Sequence, residues 1–171
     1  MTQVPAWFER KFEFTFPVED FPNLCSRLRR TPGRLEAMVR GVPHETLVRK
    51  PGEKWSAQEH AGHLHDVESL WLARVGDFLI DGDTLTAADL GNRKTDAANH
   101  NARPLRLILD EFRDARERLV DHVAELDPKL LSNSKLHPRL KQPMRLVDHL
   151  YFVAEHDDHH LATIRQLIEA K

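Results

Sequence analysis

Two histidines four residues apart, His156 and His160, carry the clearest chemical signal in the chain. Each helical residue advances by about 100°, so this spacing sets both imidazoles on one face, with Cβ atoms roughly 5–6 Å apart. Two neutral ring nitrogens so placed offer a divalent ion part of its coordination shell. His159 is a rival at spacing three, but its bearing is away from the apolar side, towards water. His149 shares the bearing of the pair and lies about 10 Å below His156 along the axis. That is too far to join the same ion, though near enough to line the same cavity. Such a pair also occurs on helices that bind nothing, so a third ligand from elsewhere is required.

The helix that would carry the pair runs from about Met144 to Glu169, with Pro143 as its start signal. Leu146, Leu150, Val153, Ala154, Leu161, Ile164 and Ile168 form its apolar stripe. Asp157 points into that stripe, where an unpaired charge costs several kcal/mol. It could orient a ligand's second nitrogen, but a structural tie to a neighbouring helix is the preferred reading.

A second helix begins at Ser56, with Glu59 completing an S-x-x-E capping box and Trp55 placed as a hydrophobic staple. It should run to about Ile80, with Ala61, Leu64, Val67, Trp71, Val75 and Phe78 on one face. His60 falls within that stripe and His63 on its shoulder; periodicity alone leaves both eligible as the third ligand. Glu68 also points inward and needs a partner. A first helix spans about Leu24 to Arg40, kinked or restarted at Pro32 and stopped by Gly41. A third runs from Pro104 to about Leu126. The polar stretch 81–103 is long enough to cover a cavity, and its Asn92, Arg93, Asn99 and Asn101 could read a polar cofactor. Residues 1–22 form an arm rich in Trp7, Phe8, Phe12, Phe14 and Phe16, to be docked on the helices or on a second subunit. No strand pair is expected. Four amphipathic helices without a sheet predict an all-α four-helix bundle with an N-terminal aromatic arm.

With 171 residues, 40% apolar and 30% charged, the chain reads as one globular domain, 1–171. A net charge of −2 gives no reason to expect nucleic acid or an anionic membrane surface as partner. Cys25 is alone, so no internal disulfide is expected. The start lacks the apolar core of a secretory signal, and no stretch approaches the ~20 apolar residues of a membrane span. A cytoplasmic location fits.

WSAQEHAGHLHDVE, followed near the C-terminus by EHDDHH in a four-helix chain, resembles the DinB/YfiT-like superfamily of metal-dependent enzymes. Pro32, Trp55-Ser56, His137-Pro138 and the run Glu155 to His160 match a subgroup pattern in order. The resemblance covers the chain from about Leu24 onward. It implies a metal triad of His63, His156 and His160, and makes His60 a core residue or a support for a ligand. Three neutral imidazoles leave a divalent ion a strong Lewis acid, with zinc or nickel expected and iron or manganese as alternatives. The superfamily is similar to thiol-dependent S-transferases. The reading preferred here is therefore attack on a small-molecule electrophile by a low-molecular-weight thiol co-substrate, bacillithiol or mycothiol. Two alternatives stand beside it: a metal-dependent hydrolase, and a metal-binding protein without catalysis. The arm and the resemblance together point to a homodimer.

Overall fold

The computed structural model describes residues 4–170. Its helices are α1 (Phe21–Val39), the single turn α2 (His44–Leu47), α3 (Ala57–Asp66), α4 (Glu68–Asp77), α5 (Arg93–Ala97), α6 (Leu105–Ala124) and α7 (Leu146–Glu169). Strands β1 (Ser134–Leu136) and β2 (Pro143–Arg145) pair antiparallel. Among the described residues no helix is long and apolar enough to cross a membrane.

Four rods make the bundle: α1, the α3–α4 pair, α6 and α7. Both α1 and α3 pack chiefly against α6 and α7. Rods consecutive in sequence therefore sit on diagonals, α1 across from α3–α4 and α6 across from α7. The long connections 40–56 and 125–145 make these crossings.

Several boundaries differ from the expectations. Pro143 does not open the last helix. It begins β2, pairing with Leu136, an edge position where its missing N–H costs nothing. The helix starts at Leu146, and the Asp148 carboxylate accepts the Arg145 N–H at 3.1 Å. The hairpin was illegible because three residues per strand carry no readable alternation. The second helix is broken at Val67. There the Asp66 carbonyl accepts from Lys94 Nζ at 2.9 Å and from the Ser69 hydroxyl, while Leu70 N–H turns to the Val67 carbonyl. The 81–103 connection contains α5 and a 3-10 turn at His100–Ala102.

Pro32 neither stops nor restarts α1; it lies inside the helix, which begins at Phe21. A proline four residues on leaves the Leu28 carbonyl without its helical donor. Arg116 Nη1 fills that vacancy at 3.3 Å. The arm thus ends at Asp20, and its residues 1–3 lie outside the described part. It docks on the chain's own last helix. Trp7 meets Phe152 at 5.1 Å and His156 at 5.1 Å between ring centroids, and Arg10 pairs with Glu155 at 2.6 Å.

The core has two apolar clusters. One gathers Leu28, Trp71, Leu119, Leu150 and Val153; the other gathers Leu35, Leu64, Phe112, Leu161 and Ile164. A buried polar layer separates them, built from residues midway along each rod. Arg116 from α6 is fully buried and pairs with Glu68 of α4 at 2.6 Å and with Asp157 of α7 at 3.0 Å. Burial by itself would lower the Arg116 pKa, but Asp157 and Glu68 raise it; burial raises that of Glu68. The inward-facing Glu68 and Asp157 are thus ion-paired on the same arginine.

Replacing Arg116 with Leu strands two buried carboxylates. We expect Arg116→Leu to lose about 3–5 kcal/mol of unfolding free energy in urea at pH 8. The deficit should shrink at pH 5, where the stranded acids can take up protons. A loss under ~1 kcal/mol would show that the tie is not structural.

Candidate metal centre

His63 on α3 and His156 and His160 on α7 converge at the level of the polar layer, each with one ring nitrogen within 4.8 Å of the others. All three are at most 6% exposed. Ring centroids stand 5.4 Å apart for His63–His156, 4.7 Å for His63–His160 and 4.4 Å for His156–His160. Burial is the main cause that holds them neutral: it takes His63 down to about 4, and His156 and His160 fall well below their ordinary value. Neutral imidazole is the form that coordinates metal.

Hydrogen bonds fix which nitrogen faces the centre. The Thr95 hydroxyl of α5 stands 3.0 Å from His63 Nδ1 and holds the ring at that nitrogen. With Nδ1 engaged by Thr95, Nε2 is the ring nitrogen of His63 left for the centre. His100 anchors the same Asp66 through Nε2 at 2.8 Å. The His100 ring lies so close to Gly62 that a Cβ there would sit 2.3 Å from it, which is why a glycine interrupts the helix. On the other side His60 Nδ1 stands 2.8 Å from His160 Nδ1, one donating to the other. His160 Nε2 in turn faces His156 Nε2 at 3.2 Å. The Nδ1 of His156 is buried and has no hydrogen-bond partner among the described residues, and its ring packs against those of Trp7 and Trp71.

This donor set fits a divalent transition ion. Three imidazoles each bring a ring nitrogen within 4.8 Å of the others, and two of the rings, His63 and His160, are held by hydrogen bonds at the far nitrogen. His63, His156 and His160 would hold the ion.

A cavity of about 430 Å³ opens beside the cluster. Trp7, Trp55, Leu70, Trp71 and Phe152 are among its apolar walls, and Arg74, His137 and Arg139 also line it. His159 is half-buried at the cavity rather than directed at open water. His149 does not line it. That residue is fully buried and bonds through Nε2 to the Trp71 carbonyl at 3.2 Å. His60 takes the supporting place, against the ring of His160. Asp157 binds Arg116, and its carboxylate makes no hydrogen bond to any of the three histidines among the described residues.

Of the four polar residues picked from 81–103, only Asn92 lines the cavity. Arg93 extends to solvent and pairs with Asp89, and Asn101 accepts from the Ser56 hydroxyl. Asn99 occupies a left-handed position with φ 48°. The connection's contribution is Thr95 and His100, which the sequence reading missed. A single Thr and a lone His in a polar loop carry no periodic signal.

The chain belongs to the DinB superfamily, whose family model matches residues 27–164. Its fold is also that of YfiT from Bacillus subtilis, described as a probable metal-dependent hydrolase with an unusual four-helix bundle topology. The two chains are 18% identical, with a TM-score of 0.79, covering 93% of this chain and 91% of that one. No curated protein matches at the sequence level.

His149 supplies a pH test that is separate from the cluster. Burial pushes its pKa down to about 3, against an ordinary value near 6.5. The unfolded chain therefore takes up this proton first, and stability should fall as pH drops below ~6.5. In metal-free protein, His149→Gln should flatten the decline, by about 2 kcal/mol at pH 5 relative to its own pH 8 value. Parallel wild-type and variant profiles would place the acid sensitivity elsewhere.

Proposed function

We propose that this DinB-superfamily chain is a metal-dependent hydrolase of a small molecule, with His63, His156 and His160 as the metal ligands. The observation that carries the reading is the convergence of three buried neutral imidazoles on the wall of an apolar cavity. The description of YfiT as a probable metal-dependent hydrolase supports it. A bound divalent ion supplies Lewis acidity there, lowering the pKa of water and polarising a carbonyl.

The protein's own groups do the rest. Thr95 orients the ring of His63 through Nδ1, and His60 orients the ring of His160. Trp7, Trp71 and Phe152 exclude water and hold an apolar substrate body against the cluster. His159 borders the same cavity, its ring 5.2 Å from that of His160, and its ring nitrogens make no hydrogen bond among the described residues. Burial first, and then Arg10, keep it below the ordinary imidazole range, so it is neutral and free to accept a proton.

The thiol-dependent transferase is the second form of this proposal. It uses the same three histidines and replaces water by a small thiol. Of the four polar residues expected to read such a co-substrate only Asn92 lines the cavity, so the hydrolase stands first.

Protein purified without an affinity tag should contain close to one equivalent of metal, and His160→Ala should lose it. His60→Ala should retain the site but weaken it by about 10–100-fold in a competition titration with a chelator, through loss of ring orientation. His159→Gln should keep full metal content while kcat on ester substrates falls by about 10²-fold or more. Metal content unchanged in the His63/His156/His160 triple Ala variant would overturn the site. Consumption of bacillithiol, mycothiol or glutathione with chloro-bimane, without any ester or amide cleavage, would replace the hydrolase by the transferase.

A further inference from the structure

Two guanidinium groups lining the cavity, those of Arg74 and Arg139, have no carboxylate partner among the described residues. Arg74 is 2% exposed, and a buried arginine is ordinarily paired, as Arg116 is here. Arg74 instead donates Nε–H to the Thr86 carbonyl at 2.9 Å and directs Nη1 at His137 Nε2, 3.2 Å away. Asp77, whose field reaches Arg74, has both oxygens committed to Thr86, one to its N–H at 2.6 Å and one to its hydroxyl at 3.2 Å. Arg139 forms no ion pair among the described residues, and its Nη2 is buried without any hydrogen-bond partner. Its guanidinium lies 5.3 Å over the Phe8 ring and 6.0 Å over Phe152. The two acids of the cavity wall are already engaged, Asp66 by His100, and Asp89 by Arg93 and the Gly91 N–H.

His137 sharpens the imbalance. Its Nδ1 accepts the Leu140 N–H at 3.1 Å, so in the neutral ring the proton sits on Nε2. That N–H then faces the N–H of Arg74 Nη1, donor against donor. An oxygen lodged beside the two would accept from both. Burial is the leading cause that depresses all three groups: His137 goes to about 3, Arg74 to about 10, and Arg139 falls as well.

We propose that Arg74, His137 and Arg139 form an oxyanion subsite, so that the molecule taken into the cavity has an apolar body and a carboxylate or phosphate. Its position suits one small molecule reaching both poles. The Trp71 ring lies 5.6 Å from the Arg74 guanidinium and 5.3 Å from the His156 ring, so a single indole separates the anion site from the three histidines. Calling this molecule the substrate rests on the hydrolase reading; the subsite itself does not.

The experiment uses metal-free protein titrated with phenylacetate, phenyl phosphate and, as a neutral control, phenylacetamide. Tryptophan fluorescence and calorimetry are the readouts. At least one anion should bind ten-fold or more tighter than the amide, and the two anions tell carboxylate from phosphate. Arg139→Gln, at a half-buried position, should lose ten-fold or more on that anion and nothing on the amide; Arg74→Gln should do the same where it folds. His160→Ala should keep anion binding, which separates a failed metal site from a failed subsite. Equal affinity for amide and anions overturns the proposal. So does an Arg139→Gln protein with a wild-type melting curve and undiminished anion affinity.

Discussion

The bundle depends on one buried cation. Arg116 reaches from α6 to Glu68 on α4, Asp157 on α7 and the Leu28 carbonyl on α1, so a single side chain ties all four rods at mid-height. Desolvating a guanidinium is costly, and the cost is offset only when its donors find acceptors of good geometry. That demand accounts for features which look wrong in isolation: two acids on apolar stripes and a proline inside a helix. Pro32 cannot donate to Leu28, and the carbonyl it leaves open is the one Arg116 needs.

The same layer sets the register of the histidines. Asp157 is fixed by Arg116, and His156 and His160 lie beside it on α7, so their height in the bundle is not free to slide. α3 meets them because it packs on α7. The break at Val67 separates two tasks within one rod: α3 carries His60 and His63, and α4 carries Glu68, Trp71 and Arg74. The connection after α4 then folds back, and Gln58 Nε2 clamps it by bonding the carbonyls of His100 and Arg103 at 2.7 and 2.8 Å. Thr95 is thereby held where its hydroxyl meets His63 Nδ1.

Polarity is divided across the cavity. At one end three imidazole nitrogens converge; at the other, guanidinium and imidazole donors converge with no ion-paired carboxylate among the described residues. Between them the walls are aromatic, closed partly by Trp7 and Phe8 of the arm. Docked on α7 through Trp7, Phe12 and the Arg10–Glu155 pair, the arm belongs to the site's enclosure.

The sequence by itself determined the helices, because a 3.6-residue apolar period and the Ser56–Glu59 capping box are local signals. It also determined the facing of His156 and His160, which spacing on one helix dictates. The third histidine was a tie on periodicity, settled for His63 only by family resemblance. Local pattern could not reach what depends on distant residues. The diagonal placement of consecutive rods comes from which faces pack best, and Pro32 is tolerated because of an arginine 84 positions away. The three-residue strands exist only as a pair. Thr95, His100 and His60 acquire their roles by contact across the fold, and Arg74 and Arg139 carry no local signal before the tertiary structure buries or encloses them without an ion-pair partner among the described residues.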